Sequence, residues 1–303
     1  MASVTGASCD VLCVGHACYD LVFSVPRHPG ADEKIFADAL MACGGGPAAN
    51  AAVIVARLGL KAAFAGYLGE DLYGGSHAEE LAREGVDIRW LARGALPTPL
   101  SAVLVKPDGA RALVNYKGAT RPLPADGIDF SGLRPKVILF DGHEPFLSVP
   151  LAERARAGGI PTVLDAGSLH EGTKALVGRV DYLVASEKFA GQWLGADDVE
   201  RALAGLAGLA PAVVITLGER GLVWRKDGEG GSMPAFPVRA VDTTGAGDAF
   251  HGAFAAALAE GLPWDALLRQ ASAAGALCCR RAGARPGLAD RAAVSAFLAL
   301  NPP

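Results

Sequence analysis

The residues best equipped for chemistry lie in one run, Asp242-Thr243-Thr244-Gly245-Ala246-Gly247-Asp248-Ala249-Phe250. Gly245 and Gly247 carry no side chains, so main-chain N–H groups there can approach an anion closely. An alanine-rich helix is predicted over 246–260, and its N-terminus would add the positive end of its dipole. Asp248 falls in the first turn, beside that anion site, with Ala246 between the two glycines. A carboxylate so placed could take a proton from a hydroxyl that attacks a phosphoryl group, while the amides hold the developing negative charge. An acid at a helix start is by itself only a stabilising feature, worth about 0.3–1 kcal/mol. The whole run D-T-T-G-A-G-D-A-F exceeds what a helix start requires.

Other candidates are weaker taken singly. Cys43-Gly44-Gly45-Gly46-Pro47-Ala48-Ala49-Asn50 opens a predicted helix reaching about residue 58. It lacks the Lys-Ser/Thr of a phosphate-cradling P-loop and the spacing of G-x-G-x-x-G, so a nicotinamide cofactor is not indicated. Asn50 could aim its amide at a ligand or cap the helix. Asp20 reads as a turn acid or as a carboxylate gripping hydroxyls. His143 and Glu144 follow a strand end, where ligands bind in parallel sheets and where solvated turns are as common.

The elements that must position these residues alternate. Short apolar runs at 10–15, 62–69, 137–141, 161–165, 182–185 and 213–218 read as strands, with 222–225 as an edge strand. Helices are predicted over 77–84, from near Pro150, over 264–279 and over 290–298. This is the rhythm of a doubly wound α/β sheet. Residues 98–118 break it with a hairpin around Pro107-Asp108-Gly109. With the extended pieces 22–25 and 34–42 it could form a small β-layer over the sheet edge, a lid that excludes water. A single domain over 1–303 is expected, its lid built from about 20–42 and 98–118.

Composition narrows the function classes. Of the 303 residues 51% are hydrophobic and 20% charged, which supports a large core. The net charge of −4 without a basic run argues against nucleic acid as a partner. No apolar run reaches the roughly 18 residues of a membrane span, and residues 1–10 lack the pattern of a signal peptide. The six cysteines, Cys9, Cys13, Cys18, Cys43, Cys278 and Cys279, form no C-x-x-C pair. Reduced thiols in the cytoplasm are the expectation.

Taken together, Gly45-Gly46-Pro47-Ala48-Ala49-Asn50, Thr216-Leu217-Gly218-Glu219-Arg220-Gly221 and Asp242 to Asp248 resemble, in order and spacing, the motifs of the PfkB-type, ribokinase-like carbohydrate kinases. The resemblance spans nearly the whole chain. It implies a three-layer α/β/α fold with a central, mostly parallel sheet and a small β-sheet lid that often builds a homodimer. It implies transfer of the ATP γ-phosphoryl group, with Mg²⁺, to a sugar hydroxyl. Asp248 matches the catalytic base, and Gly245, Ala246 and Gly247 the anion hole. Asp20, Gly45, Gly46 and Asn50 match sugar-holding positions. Ser186, Glu187, Thr216, Gly218, Gly221 and Gly275 fall in the nucleotide-binding regions. Many members hold a monovalent cation such as K⁺, and Asp242, Thr244, Cys278, Arg281 and Gly283 fall at those positions.

The chain also departs from the pattern. Cys18 stands where the family has an asparagine, and Ser186-Glu187-Lys188-Phe189 replaces Asn-x-x-Glu, so magnesium would rely more on phosphates and water. The C-terminal half, including Gly247 to Gly252 and Gly283 to Gly287, is similar to bacterial sulfofructose kinases. His143 stands where those carry a sulfonate-binding arginine, while Asn115 matches one of their substrate contacts. The reading is therefore a kinase of a ketose or related sugar. Two others stay open: a nucleoside kinase of the same fold, which would want an aromatic stack from Tyr116, Phe23 or Phe36, and a non-catalytic sugar-binding regulatory protein.

Overall fold

The computed structural model describes residues 7–195 and 198–302. Nine strands form one twisted sheet. Its order runs from β13 (Glu229–Met233) through β12 (Leu222–Lys226), β11 (Ala212–Thr216), β10 (Tyr182–Ser186), β9 (Thr162–Ala166) and β8 (Leu133–Phe140) to β1 (Ala7–Val14), β4 (Ala62–Gly69) and β5 (Asp87–Gly94). All neighbours from β5 to β11 pair in parallel, and β12 and β13 add antiparallel strands at one edge. The strands are apolar on both faces because both are covered. In β1, Val11 and Cys13 enter one core while Leu12 and Val14 enter the other. Each fully buried Phe or Leu in these cores, such as Phe254 or Phe140, contributes about 1.5–3 kcal/mol.

One helical layer is built by α1 (Pro47–Arg57), α7 (Ala246–Glu260), α8 (Trp264–Cys278) and α10 (Arg291–Leu300). The opposite layer holds α3 (Pro145–Ala157), α4 (Glu171–Leu176), α5 (Glu187–Leu194) and α6 (Val199–Leu206). Among the described residues there are two further α-helices, α2 (Leu72–Arg83) and the short α9 (Ala284–Gly287). A second sheet of four strands has the order β3 (Ala39–Gly45), β2 (Cys18–Ser24), β6 (Leu100–Val105), β7 (Arg111–Tyr116). The three-layer α/β/α fold with a small accessory sheet is thus the one expected. Among the described residues, no helix is long and apolar enough to cross a membrane.

Several local expectations need correction. Strand 222–225 is not the edge, because β13 pairs outside it; the Gly230-Gly231 pair hides that strand from a β-propensity reading. Helix α3 begins at Pro145, not near Pro150, which lies inside it; Pro145 at the first turn is the favourable place for proline. Helix α2 begins at Leu72, where Asp71 caps it by accepting the Gly74 N–H at 2.8 Å. Of the extended stretch 34–42 only the part from Ala39 is strand, and Gly44 and Gly45 end that strand rather than opening the helix. Strand β5 was not anticipated.

Candidate active site

The site is built where α1 and α7 cross. Their contact is lined by small residues, Ala48, Ala51 and Ala52 on α1 against Ala249 and Ala253 on α7, all fully buried. Gly252 sets the spacing: a Cβ there would stand 2.1 Å from Ile54 Cγ2 and 2.7 Å from the Ala51 carbonyl. This close crossing brings the Asn50 amide to Asp248, Nδ2 donating to Oδ2 at 2.7 Å. Asn50 therefore binds a side chain instead of capping α1, whose N-cap Gly46 makes no side-chain bond.

Gly245 precedes α7 in the left-handed region, φ 79°, a conformation that costs glycine little. Its turn leaves the N–H groups of Gly247 and Asp248 without a protein acceptor among the described residues. Gly247 is exposed, with open space where a Cβ would be. Orphan donors at a helix N-terminus form an anion-binding geometry. Burial pushes the Asp248 carboxyl above the usual range, with Asp141 and Asp20 adding to the rise; the Asn50 hydrogen bond and His251 oppose it. Behind Asp248, His251 is buried with Nδ1 2.6 Å from the Gly247 carbonyl and 3.3 Å from Asp165 Oδ2. Burial holds His251 down, against its hydrogen bonds to the Gly247 and Val184 carbonyls, and raises Asp165.

On one side of Asp248 lie the expected sugar contacts. Asp20, Ser101 and Asn115 sit abreast on β2, β6 and β7 and so share one face of the small sheet. The Asp20 carboxylate occupies the space a Gly45 side chain would need, 2.2 Å from its virtual Cβ. The Cys18 thiol donates to Asp20 Oδ1 at 3.2 Å, so the cysteine takes over a donor position. Burial raises the Asp20 carboxyl, against the Cys18 and Ser101 hydrogen bonds. Gly46 lies against the His16 carbonyl. His143 stacks on His170 with centroids 4.8 Å apart and tilts toward His16 at 5.1 Å.

Asp141, unremarked as a site residue in the sequence, organises this wall. Its buried carboxylate accepts the main-chain N–H groups of His16 at 2.7 Å, Ala48 at 3.1 Å and His143 at 2.9 Å. The signal was present: an acid directly ending the apolar run V-I-L-F. Burial raises Glu144 to about 7, against a hydrogen bond from the Leu123 N–H.

On the other side opens a cleft of about 1030 Å³. Thr216, Gly218, Gly221 and Gly275 line it together with Ala246 and Gly247, so the expected nucleotide positions and the α7 turn share one hollow. Ser272 and Cys279, in the 271–283 stretch expected to border the nucleotide, also line it; segment 235–240 and Phe250 line it and were not anticipated. Ser186 lies abreast of Thr216 but caps α5 by accepting the Phe189 N–H at 3.0 Å, and neither it nor Glu187 lines the cleft. Glu187 is paired with Arg220.

The expected cation residues converge as a junction of two loops. Burial would raise Asp242, but hydrogen bonds from Thr244 and Gly283 outweigh it and hold the carboxyl low. Oδ1 accepts the Thr244 hydroxyl at 2.7 Å and N–H at 2.9 Å, and Oδ2 accepts the Gly283 N–H at 2.8 Å. The Cys278 thiol faces the Thr244 and Ala284 carbonyls at 3.6 and 3.9 Å, while Arg281 is exposed outside this knot. Arg111 of the hairpin reaches the same loop, its Nη1 2.9 Å from Thr244 Oγ1.

Comparison with known proteins gives this arrangement its place. Residues 9–291 match the model of the pfkB family carbohydrate kinases. The chain belongs to that family. Such a chain is an ATP-dependent phosphotransferase acting on a carbohydrate. It is 30% identical over 294 residues to a ribokinase of Bacillus subtilis, covering 95% of this chain and 99% of that one. Among solved structures it resembles ribokinase from Thermotoga maritima, with TM-score 0.86, 29% identity and 96% and 99% coverage. Arabidopsis thaliana ribokinase, solved with ribose and ATP, superposes with TM-score 0.84, 27% identity and 96% and 99% coverage.

Proposed function

We propose that this family member phosphorylates a free sugar, with Asp248 as the general base and the Gly245–Gly247 turn as the anion hole. The observation that carries the reading is the 2.7 Å Asn50–Asp248 pair at an open helix N-terminus, between a polar wall and the large cleft. The sugar is held by Asp20, Gly45, Gly46 and Asn50, with Asn115 reaching from the small sheet and His143 closing the far side. ATP lies along Thr216, Gly218, Gly221 and Gly275, with Ser186 and Glu187 at its margin. Asp248 takes the proton of the attacking hydroxyl. The free N–H groups of Gly247 and Asp248 receive the negative charge of the transferring group.

Among the described residues no three acids, histidines or cysteines gather as a metal cage. Glu187 and Arg220 are an exposed pair, of a kind worth about 0–1 kcal/mol, so Glu187 can exchange partners at little cost. These residues fit a magnesium ion that arrives with nucleotide phosphates, whose charge it shields, rather than a resident metal. The uncharged carbonyls around Cys278 suit a large monovalent cation; replacing K⁺ by Na⁺ in the assay tests that role.

The small sheet supplies both a lid and an interface in this reading. Its inner face bears Asp20, Ser101 and Asn115. Its outer face bears, in register, Ala42, Leu21, Ala102 and Val114 across all four strands, with Leu40 two residues along β3, and carries no charge. Leu40 and Val114 are 59% and 69% exposed, a patch suited to a second copy in a homodimer. Tyr116 and Phe23 share that outer face, with Leu100 and Leu104 beside them. The strand residues abreast of Asp20 therefore offer no aromatic stack for a nucleobase, which favours a sugar over a nucleoside. The preference for a ketose rests on the C-terminal resemblance, and the cytoplasmic setting on the six thiols.

A panel of D-fructose, D-ribose, other sugars and nucleosides, read by coupled ADP release, tests the reading. Turnover with a sugar that disappears in Asp248→Asn supports it. Ordinary turnover in that variant overturns the base assignment, and ligand-induced rises in melting temperature without any turnover favour a binding protein.

A further inference from the structure

Beneath the loop at Gly44–Gly46 runs a line of polar side chains of which the steps above use only Asn50. At its centre is Arg285, the second residue of α9, with 3% of its surface exposed. Its Nε donates to Asn50 Oδ1 at 3.2 Å, and its Nη1 donates to Glu80 Oε1 at 2.9 Å. Its Nη2 donates to His77 Nε2 at 3.2 Å. The other Glu80 oxygen accepts the Gly44 N–H at 2.7 Å. The line thus joins the sugar loop to Asn50, and Asn50 to Asp248.

Chemistry fixes the direction of each bond. A guanidinium has only donors, so the Asn50 atom facing it must be the amide oxygen. The Asn50 NH₂ group is then committed to Asp248. Asp248 alone would not impose this in both of its protonation states. As a carboxylate it selects the NH₂ end, but once protonated it would serve equally well as a donor to the amide oxygen. With Arg285 holding that oxygen, the amide cannot turn to receive the proton. A protonated Asp248 could still accept through its carbonyl oxygen, but the bond to a carboxylate is the stronger one, so Asn50 favours the ionised base. His77 is consistent with this wiring, since burial first and Arg285 second hold it far below its ordinary range, leaving Nε2 free to accept.

Resting on the reading of Asp248 as the base, we infer that Arg285 is a positioning residue, which locks the Asn50 amide as a one-way donor and so keeps Asp248 ready to accept a proton. Glu80 anchors Arg285 and the Gly44 N–H together, so the loop that holds the sugar and the amide that holds the base share one support. The titratable groups around Asp248 itself are Asp20, Asp141, Asp165, His251, Cys18 and Cys278, all left in place by the variants below.

The test uses Arg285→Met, Arg285→Lys, Asn50→Ala and the double variant Asn50→Ala/Arg285→Met, assayed with D-fructose or the fastest sugar of the panel. In Arg285→Met, kcat is expected to fall about 10- to 100-fold, the cost of a charge-assisted hydrogen bond. Glu80 still holds Gly44, so the sugar KM should stay within about threefold. The acidic limb of the kcat–pH profile should move up by about one unit. Lysine reaches Glu80 or Asn50 but not both, so Arg285→Lys should shift the limb in the same direction by less, while holding the fold if methionine does not. In the Asn50→Ala background the Arg285→Met shift should vanish.

A limb that stays in place while the melting temperature falls makes Arg285 a strut only and overturns the inference. So does a shift that persists without Asn50. Asp248→Asn separates the two layers. If that variant turns over normally, the base reading itself fails; if it is dead and the Arg285 limb does not move, only the role of Arg285 fails.

Discussion

The two sides of Asp248 are built on opposite principles. The side proposed to hold the sugar is a lattice of side chains: Asp141 holds three main-chain N–H groups, and Arg285 joins Asn50, Glu80 and His77. The side proposed to hold the nucleotide is a roomy trough of mostly uncharged residues, with Glu219 and Arg239 its only charged lining among the described residues. Buried polar groups tolerate no missing partner, whereas a trough shaped by backbone loses little when one side chain is trimmed. The contrast teaches where chemical specificity resides: in the lattice by bond direction, in the trough by shape.

The sharpest way to break this contrast is at its boundary. Asp248→Asn should lower kcat by about 10²–10⁴-fold with nearly unchanged sugar affinity, measured by steady-state kinetics and thermal shift. A loss of affinity equal to the loss of kcat would make Asp248 a binding group. Next in size, Asn50→Ala removes a hydrogen bond to a charged group and should cost about 10- to 100-fold in kcat; an effect on ATP KM alone would place Asn50 on the wrong side.

In the trough, a large side chain should matter more than a lost one. Gly275 lies with its virtual Cβ 3.2 Å from the Ala246 carbonyl, so Gly275→Val should raise the ATP KM about tenfold and spare sugar binding. Thr216→Ala, which removes only a rim hydroxyl, should change ATP KM by less than about threefold.

Glu144 gives a stability test of the lattice. Its pKa of about 7 in the folded protein lies above the ordinary 4.5, so the folded state holds the proton more tightly. That stabilisation is complete below the unfolded pKa and is lost as pH rises toward 7. Stability should therefore fall between pH 5 and pH 8 by on the order of 3 kcal/mol at most, read as a lower melting temperature. In Glu144→Gln, whose oxygen can still accept the Leu123 N–H, this part of the drop should disappear.

Much of this molecule was legible from the chain alone, for reasons that are local. Strands buried on both faces read as apolar runs, and helix α7 was bounded correctly because Gly245 and Gly261 frame an alanine-rich stretch. Apart from Asp141, most of what was missed had no local signature. Strand β13 is glycine-rich, Pro150 sits harmlessly inside α3, and Arg285 and Glu80 look like surface charges until the fold buries the arginine and clamps the acid to it.

The sequence by itself determined the doubly wound architecture and the family, because backbone conformation and phosphate binding depend on residue types at fixed short spacings. Tertiary structure alone decided that Asn50, Glu80, Asp248 and Arg285, up to 235 residues apart in pairs that touch, form one hydrogen-bonded line. Bond direction between distant side chains is set by packing angles, here by the close α1–α7 crossing at Gly252, and no spacing along the chain encodes those.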